Sequence, residues 1–173
     1  MSRNFIQFIF LFVILTLLQV VCNKIILFNV ACPIIFIYTI LRLPVDLNKS
    51  LALTLAFITG LVVDVFGNTP GMNALCCTVV CGIRIPVFNF LDTHDDDEST
   101  SILPSIHTLG IANYIKYIFI LVPVYCSLLF FIQAFTLRNP LLTLSRIGAS
   151  SLLSIIIILG IESLVGTQRE KRL

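Results

Sequence analysis

A carboxylate inside an apolar run can hold a cation, relay a proton or tie helices together. Asp64 is such a residue, flanked by Val62 and Val63 on one side and Val65 and Phe66 on the other. Carboxylates within a membrane are scarce and face protein or a polar cavity, where they find partners. The residues at successive steps of four before Asp64 are Ala52, Ala56 and Gly60. On a helix these four lie along one slanting ridge. Small residues on such a ridge let a second backbone come close, the usual seam between helices in lipid. After Asp64 the run Gly67-Asn68-Thr69-Pro70-Gly71 breaks the chain, and Met72 and Asn73 open a second apolar run. Asn68, Pro70 and Gly71 have turn chemistry, and the turn can cap the helix that follows.

Asp64 would stand at a helix C-terminus, which carries the negative end of the helix dipole. A compensating partner is therefore required. Arg84 is poorly placed, about 20 Å along the next helix at 1.5 Å per residue. The free amides opening that helix at Met72 and Asn73 are better placed, as is a cation such as Lys24, Arg138 or Arg146. Ala52, Ala56, Gly60, Asp64, Asn68, Pro70, Gly71 and Asn73 together are expected to form a helix-packing or partner-binding site. The simpler alternative is an interfacial Asp64 that reaches water beside a plain hairpin turn.

The other candidate groups suggest less chemistry. The acidic stretch from Asp92 to Glu98 lacks the glycine and distal glutamate of a calcium-binding loop and reads as a solvated loop. His94 and His107 lie in that polar region, away from the cysteines. Cys22, Cys32, Cys76, Cys77, Cys81 and Cys126 form no C-x-x-C pair, so they read as small hydrophobes rather than zinc ligands. Glu162 is expected to pair with the cations of the C-terminal tail. The sequence contains no nucleophile–base pair, phosphate-binding glycine loop or redox motif. No metal, cofactor or catalytic residue is expected.

The elements that position these residues follow from composition. The chain has 173 residues, of which 58% are hydrophobic and only 12% charged. A soluble domain of this size cannot bury that much apolar surface. The net charge of +2 and the absence of a basic face give no case for nucleic acid. An all-α integral membrane protein with a single membrane domain over residues 1–173 is expected. Six apolar runs approach the ~20 residues needed to cross a bilayer: 5–21, 25–41, 51–66, 71–90, 111–135 and 143–165. The first is too long and lacks the small-residue site of a cleaved signal peptide. Pro33 and Pro123 fall inside runs, where neighbouring helices can satisfy the freed carbonyls. Arg84 and Pro86 fall in the fourth run, whose last turn is expected to be distorted or interfacial.

Lys and Arg counts set the expected orientation. With the N-terminus inside, the inner side holds Arg3, Arg42, Lys49, Arg84, Lys116, Arg169, Lys171 and Arg172, and the outer side Lys24, Arg138 and Arg146. Both termini and the polar loop 92–101 are then cytoplasmic. The halves of the chain share no repeat, against a transporter built from inverted repeats.

The segment Gly60-Leu-Val-Val-Asp64-Val-Phe-Gly-Asn68-Thr-Pro70-Gly71-Met-Asn73-Ala74 resembles one shared by bacterial rod shape-determining proteins of the MreD family. There a G-x-x-x-D pattern closes the third helix and a Pro/Gly turn leads to a small-residue helix. The matching positions are Gly60, Asp64, Pro70, Gly71 and Asn73. The resemblance implies a non-enzymatic subunit of the cell-elongation complex in the bacterial inner membrane. Its implied partners are an MreC-like bitopic membrane protein and, indirectly, an MreB-like actin homologue and a peptidoglycan glycosyltransferase and transpeptidase. It also implies a fold similar to the six-helix substrate-binding subunits of energy-coupling-factor vitamin transporters. A vitamin-binding subunit is the alternative function. Such subunits carry a small-residue seam on their first helix, whereas here the first run is bulky and the seam lies on the third. An intramembrane enzyme ranks below both, for want of a catalytic pair.

Overall fold

The computed structural model describes residues 12, 14–19, 33–91, 104, 109–134 and 140–170, with residues 140, 142 and 164–170 described by backbone alone. Among the described residues, five helices follow a helical stretch at 14–19: α1 (Ile37–Leu41), α2 (Lys49–Gly67), α3 (Met72–Leu91), α4 (Ile111–Ala134) and α5 (Pro140–Glu170). Four contain stretches long and apolar enough to cross a membrane: Lys49–Gly67, Met72–Leu91, Ile111–Ala134 and Thr143–Ser163. The protein is a small, all-α, multi-span membrane protein.

The expected six-span architecture is corrected to four such helices among the described residues. The expected span 5–21 and the acidic stretch 92–101 lie largely outside the described residues. Of the expected span 25–41, residues 25–32 also lie outside the described residues, and the difference is seen in 33–41. Residues 33–36 are not helical, and α1 has only five residues, far short of a crossing. The physical cause has two parts. Pro33 has no amide to donate and biases the residue before it away from helix. The amides just after it find acceptors on other segments. Ile34 N donates to Ser154 Oγ at 2.9 Å, and Ile35 N and Phe36 N donate to Gln19 Oε1 at 2.7 and 3.4 Å. Gln19 Nε2 in turn donates to Pro33 O at 3.0 Å. Irregular backbone in a membrane protein is tolerable when it is buried in protein with its polar groups satisfied, and Pro33 to Phe36 are all buried.

The distortion expected as one alternative at Pro86 is not seen. α3 runs unbroken through it to Leu91, with Pro86 on its exposed side. α4 likewise continues through Pro123.

α2 and α3 form a tight antiparallel hairpin, α3 packs on α4, α4 on α5, and α1 lies against α3. At one end of the bundle meet the start of α2, the end of α3, the start of α4 and the Glu162 region of α5. Asn113 Nδ2 on α4 donates to Leu91 O at the end of α3, at 3.1 Å. Arg84 Nη2 on α3 donates to Pro44 O ahead of α2, at 3.0 Å. The opposite end holds the α2–α3 turn.

Candidate functional site

The turn between α2 and α3 brings Asp64 into contact with the start of the next helix. α2 stops because Asn68 adopts a left-handed conformation, φ 53°, and its amide and that of Thr69 both return to Asp64 O. Asparagine tolerates this conformation better than most residues. Gly71 also has positive φ, 74°, which glycine takes without strain. Leu75 N then donates to Gly71 O at 3.1 Å, which starts the α3 ladder.

The Asp64 side chain is 2% exposed and meets four donors. Oδ1 accepts from Asn73 N at 3.1 Å, Asn73 Nδ2 at 2.8 Å and Thr69 Oγ1 at 2.5 Å. Oδ2 accepts from Ala74 N at 2.9 Å. The carboxylate thus caps α3 from outside it, on amides that have no partner within that helix. The positive end of the α3 dipole faces the anion, which offsets the unfavourable end of α2. Asn73 carries the network further inward. Its Oδ1 accepts from Tyr125 OH on α4 at 2.6 Å. Among the described residues no Lys or Arg nitrogen lies within ion-pair distance of Asp64.

The ridge makes this geometry possible. Ala52, Ala56, Gly60 and Asp64 are all buried along α2. Gly60 is in contact with the α3 backbone. A Cβ built there would lie 2.4 Å from Ala74 Cα and 2.6 Å from Asn73 O. Asn68 and Pro70 are exposed on the turn, and Gly71 is half-buried. The amides used are those of Asn73 and Ala74, one residue further along than Met72 and Asn73. Arg146 is exposed on α5, while Lys24 and Arg138 lie outside the described residues.

A second polar cluster sits at the other end. Glu162 on α5 is 2% exposed. Its Oε2 accepts from Tyr38 OH at 2.5 Å and from Tyr114 OH at 3.1 Å. Arg42 stands 3.7 Å from the same oxygen, donates to Tyr38 OH, and places its guanidinium 5.7 Å from the centre of the Tyr38 ring. Glu162 therefore pairs with the segment after α1, a correction to the expected pairing with tail cations. A spacing signal for it existed in the sequence. Ser150, Ser154, Ile158 and Glu162 are four apart and all buried, a ridge ending in a carboxylate like that of α2.

Arg84, 1% exposed, serves neither carboxylate. Nη1 donates to Leu43 O at 2.5 Å and Ile40 O at 3.5 Å, and Nη2 to Pro44 O. Tyr117 OH donates to Leu41 O at 3.2 Å. These side chains satisfy carbonyls exposed where α1 ends, and a cation suits the negative end of a helix. From the sequence Arg84 counts only among the inner-side cations, because nothing local marks α1 as ending beside it.

Cys76, Cys77, Cys81 and Cys126 are buried free thiols. Among the described residues no group of three His, Cys, Asp or Glu is placed to hold a metal ion. Comparison with protein-family models, curated proteins and solved structures finds no match for this chain.

Proposed function

We propose that this chain is a partner-binding subunit of the bacterial cell-elongation complex, of the MreD type, and that it works by assembly rather than by catalysis. The observation that carries the reading is the use made of Asp64. All four of its hydrogen bonds go to the α2–α3 turn and the start of α3, so the carboxylate is committed to architecture. It does so within the stretch 60–74 that carries the family resemblance. In this reading the Gly60–Asp64 clamp holds the α2–α3 hairpin in the form that an MreC-like bitopic protein recognises. MreB-like filaments and the peptidoglycan glycosyltransferase and transpeptidase are reached through that partner. The setting is the bacterial inner membrane. The end of α3, the start of α4 and the Glu162 end of α5 share one side of the bundle, and in this reading Arg42, Lys49, Arg84 and Lys116 at that side mark it as the cytoplasmic one.

The test is recovery of the tagged full-length protein from membranes under gentle solubilisation. A stoichiometric single-span partner is expected, together with loss of rod shape on depletion. A protein that is recovered alone, and whose depletion leaves shape unchanged, would overturn the reading.

A further inference from the structure

We draw no further inference here: the strongest candidate, the exposed apolar ridge of Leu75, Val79, Ile83, Pro86 and Phe90 along α3, carries nothing, because nothing in the structure shows what covers it.

Discussion

Gly60 lies directly against the backbone of Ala74, so close that a Cβ on Gly60 would stand 2.4 Å from Ala74 Cα. That approach brings the Ala74 amide to within 2.9 Å of Asp64 Oδ2. The absence of a side chain at one residue and the hydrogen bonding of another, four residues on, are therefore one structural fact.

Gly60→Ala should be destabilising although alanine is the better helix former. The nearest atoms are backbone and cannot rotate away, and overpacking of this kind costs about 1–3 kcal/mol. Gly82 has nothing within 4 Å of an added Cβ, so Gly82→Ala is the matched control and should be neutral or mildly stabilising. Reversible unfolding in mixed micelles measures both. Equal effects at the two positions would refute the contact.

Asp64→Leu should destabilise more than Asp64→Asn, and neither should be silent. Leucine leaves the Asn73 and Ala74 amides and the Asn73 carboxamide without their acceptor. Asparagine keeps one acceptor but turns an NH2 group towards a cluster made of donors. Stranded donors cost about 1–3 kcal/mol each at most sites. Circular dichroism melts of the solubilised protein give the order, and the order Leu worse than Asn worse than Asp is the expectation.

Tyr125→Phe removes the hydrogen bond to Asn73 and a weaker contact with the Cys77 thiol. Polar contacts between membrane helices average about 0.6 kcal/mol and reach about 1.7, so a loss in that range is expected. In a double-mutant cycle with Asn73→Ala, the two losses should be markedly less than additive. Full additivity would show that the pair does not act together.

Arg84→Met should be among the most damaging single changes in the chain. It leaves the carbonyls of Leu43 and Pro44 without their guanidinium donor beside the end of α1. A loss of about 3 kcal/mol or more is expected, with Arg84→Lys recovering only part of it, because lysine lacks the planar fork that spans two carbonyls. Thermal stability and accumulation in membranes check the order Arg, Lys, Met.

Gln19→Leu is the sharpest test of the break at 33–36. It removes the acceptor of the Ile35 and Phe36 amides and the donor to Pro33 O. A destabilisation of about 2 kcal/mol or more is expected. The near-isosteric but donor-reversible Gln19→Glu should be tolerated better at the two amides than at Pro33 O. Stability of the two variants against chemical unfolding distinguishes them, and an unaffected Gln19→Leu protein would show that the break needs no support from that side chain.

What the sequence determines by itself is what depends on short-range pattern. Apolar length places α2, α3, α4 and the span within α5, because a crossing is a matter of counting residues against a fixed thickness. The step-of-four spacing puts Ala52, Ala56, Gly60 and Asp64 on one face, because that is a property of any helix. The turn chemistry of Asn68 to Gly71 is equally local. What only the tertiary structure decided involves partners far apart in the chain. The run 25–41 has the composition of a span, yet residues 33–36 are not helical, and Gln19 and Ser154 supply the acceptors that satisfy their amides. Glu162 pairs with a segment about 120 residues earlier, and Arg84 reaches back about 40 residues to carbonyls that face it only because α1 ends there. Hydropathy averages over such residues and sees one polar atom among many apolar ones. In a medium without water, the partner of each polar atom decides where the chain can bend, and that partner is known only once the helices are side by side.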